Sequence, residues 1–330
     1  LLGLVGSEMC IRDRSKDDLL SYNNIGLVLV YGNNRSKFSL GYNMNRLNDY
    51  NSSFSFNGKN SIGIDSYFLD YSTGVPSSNL SVFDGESIQS VYKALGDSYG
   101  YGDQQAFLGY QSYLINHVDD LPNNYVSNAL YSNVDQLLSI DRKGDHLVHS
   151  LNLSTSYNDN VYLGLNFNFH SLEFEEYKFF KESGYSSNSN VKRVQFEENL
   201  FSYGQGLSIQ LGSLLKFNNF RVGLSYTSPT YLKIEEESSQ YIESDIIEDD
   251  TLKTVTVDPN TINLFEDYRL ILPSKTMLSL AYIFRSRGLI SVDYELTKYN
   301  KSKFDDNNGR DSYLKSLNNS IKNNFNGLSK

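Results

Sequence analysis

The sequence is dominated by runs in which apolar and polar residues alternate one by one. In the run "VYLGLNFNFH", from Val161 to His170, every second residue is Val, Leu or Phe. Alternation with a period of two places the apolar side chains on one face of a β-strand. A second alternating run, "HLVHSLNLSTSY" at 146–157, precedes it, and the Asn-Asp-Asn sequence at 158–160 separates the two. Asn and Asp tolerate turn conformations, so the two runs predict an antiparallel β-hairpin.

The same arrangement occurs three more times along the chain. "NIGLVLVYG" and "SKFSLGYNM" flank Asn33-Asn34, and "LSIQLGSLLKF" and "FRVGLSYTSPTYLKI" flank Asn218-Asn219. "TMLSLAYIF" and "GLISVDYELTKY" flank the short Ser-Arg-Gly sequence at 286–288. The sequence therefore predicts four hairpins, built from strands of roughly nine to twelve residues and closed by tight turns.

The connections between these hairpins are long and polar or acidic, at about 45–145, 173–205 and 233–264. Short turns at one end and long loops at the other are typical of an outer-membrane β-barrel. Strands of about 9–11 residues span a membrane when tilted, whereas a spanning helix needs about 18 apolar residues. The longest apolar run, at 25–31, is only strand-sized. We predict an all-β fold, a transmembrane antiparallel β-barrel with long extracellular loops.

The first long loop contains three segments with a helical pattern, at 61–74, 86–96 and 104–118. Their apolar faces have two interpretations. The helices pack on one another as a cap over the barrel mouth, or their apolar faces also bind a hydrophobic ligand. The second interpretation makes ligand-binding candidates of Phe68, Leu69, Phe107, Tyr110 and Leu114.

Charge and motif content exclude several function classes. The formal net charge is -10, and no Lys/Arg-rich segment occurs, which argues against nucleic acid as a partner. We find no Gly-x-Ser-x-Gly element and no phosphate-binding Gly loop, so no catalytic residue, enzyme activity or cofactor is predicted. His146 and His149 would point to opposite faces of a strand, which makes them a poor metal chelate. The acidic stretch at 233–250 is interpreted as a solvated loop, with a divalent-cation site as the alternative.

One segment resembles a known family. The sequence "RLILPSKTMLSLAYIFRSRGLISVDYELTKYNKSKF" at 269–304 resembles part of the FadL-type outer-membrane transporters, including the branch often labelled hemin receptor. "RVGLSYTSPTYLKI" at 221–234 and "KFSLGYNMNRLNDYNSSF" at 37–54 are similar to other strands of that family. The resemblance implies a barrel of about 14 strands, an N-terminal plug, and a lateral opening in the barrel wall formed by a kinked strand. Gly41, within the first short hairpin, is the candidate for that kink.

The resemblance also implies a function. The expected activity is passive uptake of hydrophobic small molecules, such as long-chain fatty acids or aromatic hydrocarbons, by a monomer in the outer membrane. The implied partners are that ligand, outer-membrane lipid and lipopolysaccharide, and the barrel-assembly machinery. The alternative is a structural or adhesive surface barrel without transport activity. The sequence does not distinguish among fatty acid, aromatic compound and hemin.

The first residues do not fit the rest of the chain. The segment "LVGSEMCIRDR" at 4–14 contains the single Cys and back-translates without mismatch to the end tag of transposase-based sequencing libraries. We therefore expect residues 1–14 to be an adapter artefact and residues 15–330 to be a partial barrel domain. The family's Gly- and Ala-rich plug is not found before Asn24, and the expected content is about 8 of 14 strands.

Overall fold

A computed structural model describes residues 10–13, 23–33, 35–284, 287–306 and 312–326. This part of the chain is mostly antiparallel β-sheet, which confirms the predicted β-rich, antiparallel character of the fold. None of its helices is long and apolar enough to cross a membrane.

The strands are β1 (Cys10–Asp13), β2 (Asn24–Gly32), β3 (Ser36–Asp49), β4 (Ser52–Asn60), β5 (Ile115–Val118), β6 (Leu121–Ser127), β7 (Val134–Tyr157), β8 (Val161–Ser183), β9 (Val191–Phe217), β10 (Phe220–Thr227), β11 (Thr230–Glu248), β12 (Thr251–Val257), β13 (Asn263–Leu264), β14 (Tyr268–Leu272), β15 (Lys275–Ile283), β16 (Leu289–Thr297) and β17 (Lys303–Asp306). The helices are α1 (Asp65–Ser72), α2 (Ser77–Leu80), α3 (Ile88–Ser98), α4 (Tyr101–Gln111) and α5 (Ser312–Asn324), with a 3-10 turn at Tyr299–Lys301.

The large sheet is a meander centred on three long strands. β7, β8 and β9 contain 24, 23 and 27 residues and pair in that order. Shorter strands lie end to end beside them, so that β3 and β4 both pair with β7, and β10 and β11 both pair with β9. β15 and β14 continue the sheet beyond β10 and β11, followed by β16 and β17, while β2 beside β3 and β1 beside β4 form the opposite edge. The sheet is open and does not close into a barrel among the described residues.

All four predicted hairpins are present, with their turns at the same end of the sheet. Asn158, Asp159 and Asn218 adopt positive φ angles of 51°, 52° and 50°, a conformation that Asn and Asp tolerate better than most residues. Asn34 and Ser286, which belong to the other two predicted turns, lie outside the described residues.

The predicted boundaries of the long loops were wrong. β3 and β4 cover residues to Asn60, β7 begins at Val134, β8 continues to Ser183, and β9 begins at Val191. The acidic stretch at 233–250 is also strand, as most of β11 and its turn into β12. In these parts both sheet faces carry polar residues, so the hydrophobic alternation that marks a half-buried strand is weak.

The sheet curls around one of its faces. Residues of β3, β7, β8 and β9, together with Lys275 of β15 and Thr297 of β16, line a single concavity of about 690 Å³. We call this side the concave face and the opposite side the outer face. Paired residues share a face, and the even-numbered residues of β7, of β8 and of β9 from Val194 onward lie on the concave face.

Residues 61–133 form a compact cap on the concave face. α1, α3 and α4 confirm the three predicted helices, although α4 ends at Gln111. The predicted continuation to 118 was wrong, because Tyr113 has a φ of 57° and the chain turns there into β5. The cap and sheet share one buried core, composed of Ile64, Phe68, Val75, Leu80, Val91, Tyr92, Leu95, Ala106, Phe107, Leu108, Leu114, Ile115, Ala129, Phe180, Val191, Val194, Ile242 and Val257.

Candidate functional site

The outer face of the half of the sheet nearest the tight turns is apolar and exposed. We call this surface the apolar band. It comprises the outward side chains of β2, β10, β15 and β16 and of residues 36–45, 146–157, 161–170 and 206–217, and no Asp, Glu, Lys or Arg lies on it among the described residues. Leu211 in its middle is 53% exposed. Its large exposed side chains include Leu27, Leu29, Phe38, Leu40, Leu151, Leu163, Leu207, Ile209, Leu211, Leu224, Leu278, Leu280, Ile290 and Val292.

The apolar band has a defined length along the strands. From Leu207 to Phe217 the strand rises about 33 Å at roughly 3.3 Å per residue. Exposed aromatic residues lie at both limits of the band. Those near the turns are Tyr31, Tyr157, Phe217 and Phe220, and those at the opposite limit are Tyr42, Phe169, Tyr226 and Tyr294.

Beyond the band, the outer face of the same strands becomes charged. Arg193 on β9 donates to Asp245 on β11 (Nε to Oδ2, 2.7 Å) and to Glu243 beside it. The hydrogen bond from Arg193 holds the pKa of Asp245 below its usual value. The change from an apolar to a charged surface occurs at about residue 145 of β7, 172 of β8 and 205 of β9, one continuous level across the sheet.

The concave face behind the band is polar. Asn152 donates to Asn166, and Asn166 donates to Gln210 (Nδ2 to Oε1, 2.8 Å), which makes a row of amides across β7, β8 and β9. In the next row, Ser150 donates to Asn168 (Oγ to Oδ1, 2.7 Å). The strands therefore separate an apolar outer face from a hydrogen-bonded polar trough.

Two histidines and a serine form a chain of contacts on the wall of this trough. His146 Nε2 lies 3.0 Å from His170 Nδ1, and His170 Nε2 lies 3.0 Å from Ser208 Oγ. His149 lies on the outer face, where its Nδ1 is 2.7 Å from the Tyr42 hydroxyl. The prediction that His146 and His149 point to opposite faces is confirmed. The contact with Ser208 was missed by sequence reasoning, because strand register alone brings these residues together.

An ion network lies between the trough and the cap. Glu176 on β8 accepts from Arg142 (Nε to Oε2, 2.6 Å) and from Lys178 (Nζ to Oε1, 2.9 Å). Burial acts to raise the pKa of Glu176, but hydrogen bonds from Lys178 and Arg142 outweigh it and hold the pKa below the usual value. Lys178 also pairs with Glu198, which accepts from the Tyr101 hydroxyl of α4 at 3.1 Å. The network thereby joins the sheet to the cap.

A second polar anchor holds the start of α1. The fully buried carboxylate of Glu182 accepts from the Ile64 backbone N–H at 3.0 Å and from the Gln136 amide at 2.6 Å. Burial raises the pKa of Glu182, and hydrogen bonds from Tyr185 and Gln136 offset only part of that shift. Because the ion network and Glu182 each hydrogen-bond buried or partly buried polar groups of the cap and of the sheet, separating the cap from the sheet would leave these groups without partners.

The predicted ligand-binding residues come together, but in the interior of the cap. Phe68, Phe107 and Leu114 have no solvent exposure, while Leu69 and Tyr110 are half-buried against the same core. The Phe68 ring packs edge-on against Phe196 of the sheet, with 5.6 Å between centroids. Side chains without exposure line no open groove, so the closed arrangement matches the cap interpretation more closely than an open ligand site.

Gly41 lies in a regular part of β3, where it pairs with Val28 and Asn152. A Cβ there would lie at ordinary contact distance, 3.4 Å from the nearest atoms. The irregularity of β3 occurs between Arg46 and Asn48, where its register against β7 shifts. A role for Gly41 in a lateral opening stays a prediction.

Fold and site together define an open antiparallel β-sheet with a capped polar trough on one side and an apolar band on the other. No protein-family model, curated protein or solved structure matches the chain. The likeness to FadL-type transporters thus rests on the sequence segments alone.

Proposed function

We propose that this chain forms part of an outer-membrane β-barrel that takes up hydrophobic small molecules passively, as FadL-type transporters do. The observation that carries the proposal is the apolar band, which extends about 33 Å along β9 and carries no Asp, Glu, Lys or Arg among the described residues; at the tilt of about 40° usual in β-barrels, this length corresponds to a height of about 25 Å. Exposed apolar surface costs about 25 cal/mol per Å² in water, and burial in lipid removes this cost.

The two edges of the sheet support a closed barrel in the assembled protein. β2 and β16 each pair on one side only in the described part of the chain, so each presents a row of backbone N–H and C=O groups. In lipid such groups must be hydrogen-bonded, which only closure of the sheet achieves. We propose closure by further strands, to the 14 or so of the FadL-type family.

The polar trough favours a lateral route for an apolar ligand. Each CH₂ group transferred from water to an apolar environment gains about 0.8 kcal/mol, and amide rows such as Asn152–Asn166–Gln210 offer no such environment. We propose that ligand is captured at the cap and leaves sideways through the barrel wall into the membrane. Movement of the cap is part of this proposal, because its apolar residues are closed off from solvent.

The test is uptake into liposomes that contain the purified protein, with labelled fatty acid, toluene-like aromatics and hemin as separate substrates. Phe107→Asp places a carboxylate in the closed core of the cap and should abolish uptake while the protein still inserts. The matched control is Phe83→Asp, at a cap residue that is 59% exposed, and it should retain uptake. Unchanged uptake by the Phe107 variant would show that the cap takes no part in ligand capture.

A second candidate function is a structural or adhesive barrel. It is favoured by the complete burial of Phe68, Phe107 and Leu114, since a cap with a closed core needs no ligand to fill it. This alternative predicts that protein-containing liposomes take up all three probes no faster than protein-free liposomes.

A further inference from the structure

We propose that Ser208, His170 and His146 form a serine-hydrolase relay that cleaves carboxylic esters within the polar trough. A nucleophile, a base and a group that orients the base are the three parts of such a site, each within hydrogen-bond reach of the next. Here both contacts are 3.0 Å long, from Ser208 Oγ to His170 Nε2 and from His170 Nδ1 to His146 Nε2.

The two contacts define one consistent set of proton positions. Ser208 Oγ–H donates to His170 Nε2, which leaves the proton of neutral His170 on Nδ1. That Nδ1–H donates to the lone pair of His146 Nε2. His146 therefore fixes the tautomer and ring orientation of the base, the role that a carboxylate has in the Ser-His-Asp arrangement.

The strand register builds this arrangement. His146, His170 and Ser208 lie on the concave faces of the adjacent strands β7, β8 and β9. His170 pairs directly with Val148 and with Gly206, so His146 and Ser208 are its diagonal neighbours on either side. Sequence separations of 24 and 38 residues explain why no short motif marks the site.

The relay faces a cavity of a suitable size and lining. All three residues line the concavity of about 690 Å³, together with the amides of Asn168 and Gln210. Asn168 Nδ2 lies 3.4 Å from Ser208 Oγ, which places an amide donor beside the attacking oxygen, with its hydrogen bond directed at Oγ itself. Leu47, Leu272 and Pro273 at the rim supply apolar surface for a short acyl chain.

The reaction has two balanced steps. In the first, Ser208 Oγ forms a bond to the ester carbonyl carbon, its proton moves to His170 Nε2, and the ester C–O bond breaks as that proton passes to the leaving alcohol. In the second, His170 removes a proton from water, and the resulting hydroxide attacks the acyl-enzyme. The carboxylic acid leaves, and the proton returns to Ser208 Oγ.

The experiment uses the purified full chain in detergent micelles, with p-nitrophenyl butyrate as substrate and a fluorophosphonate as a serine-directed label. We expect hydrolysis, and mass spectrometry should locate the label on Ser208. Ser208→Ala and His170→Gln should each lower kcat/KM by about 10³-fold or more. Two matched controls should retain activity. Ser154→Ala changes a serine on the same face that is hydrogen-bonded to Ser39, and His149→Gln changes a histidine on the outer face.

A positioning role for His146 has its own signature. His146→Ala removes the acceptor for His170 Nδ1–H and should lower kcat with little change in KM, whereas His146→Gln supplies a carbonyl acceptor and should restore part of the loss. Circular dichroism melts confirm that each variant is folded. Absence of both hydrolysis and label in the folded wild type, or hydrolysis that persists in Ser208→Ala, would overturn the proposal.

Discussion

Replacement of Leu211 by Lys tests whether the apolar band faces lipid or water. Leu211 lies near the middle of the apolar band on β9, opposite Leu165 and Tyr226 on the neighbouring strands. It is 53% exposed, so a lysine there meets no packed protein core. In water, a substitution at such a surface position changes the free energy of unfolding by less than about 0.5 kcal/mol.

The expected cost in a bilayer is much larger. A Lys or Arg at the midplane of a β-barrel's lipid face costs about 2–4 kcal/mol. At about 1.4 kcal/mol per factor of ten, this lowers the folding equilibrium constant by roughly 30- to 700-fold. The half-height of the band is about 12 Å, too far for the lysine to place its charged end in water without distorting the bilayer.

The assay is reversible urea unfolding of the protein folded into lipid vesicles. Unfolding is monitored by tyrosine fluorescence, since the chain contains no Trp, or by circular dichroism. Asn199→Lys is the matched control, since Asn199 is an exposed outer-face residue of the same strand in its charged half. It should change the unfolding free energy by less than about 0.5 kcal/mol. Equal effects of the two substitutions would refute the assignment of the apolar band to lipid.

Two further predictions concern the charged half of the sheet. Gly144→Ala should destabilise the protein by about 1–3 kcal/mol in the same urea assay, because Gly144 has a φ of 112° and an added Cβ would lie 2.1 Å from the Glu173 carbonyl oxygen. Gly212→Ala is the control, because its Cβ would meet nothing within 4 Å, and it should change the free energy of unfolding by less than about 1 kcal/mol. Asp245, whose pKa is lowered mainly by its hydrogen bond from Arg193, contributes stability that is present above its unfolded-state pKa of about 3.9 and is lost as pH falls through the folded-state value. Unfolding measured from pH 6 to pH 2 should therefore show a smaller acid-dependent loss in Asp245→Asn, and an unchanged acid limb would contradict this reasoning.

The strands of the apolar band could be predicted because each has one apolar face. In the run from Val161 to His170 the alternation alone distinguishes the outer face from the trough. Most of β11 was missed because the sequence EEESSQYIESD at 235–245 is acidic or polar on both faces, and no regular row of apolar residues marks it as a strand. Strand length was therefore underestimated wherever the sheet leaves the band.

The candidate sites were less predictable than the strands. Phe68 and Phe107 were expected on apolar helix faces and both are buried, but α4 is buried over all six residues from Gln104 to Gly109, and helical periodicity does not tell whether an apolar face is closed by a partner or open to a ligand. Helix α4 ends early because Tyr113 adopts a positive φ. This end could not be predicted, because Tyr is not a residue type that favours turns. The contact between His170 and Ser208 depends on the register of β8 against β9, and composition does not define it.

The most direct test of the central proposal is a nitroxide scan of residues 207–217 on β9 in lipid vesicles. Each residue is replaced in turn by spin-labelled cysteine, after replacement of Cys10, and its collision rates with oxygen and with a water-soluble nickel chelate are measured. We predict alternation, with the odd-numbered residues accessible to oxygen and shielded from nickel, and the intervening trough residues showing the reverse preference. The odd-numbered residues are Leu207, Ile209, Leu211, Ser213 and Leu215. Nickel accessibility at the odd-numbered positions equal to that at the even-numbered ones would contradict this prediction.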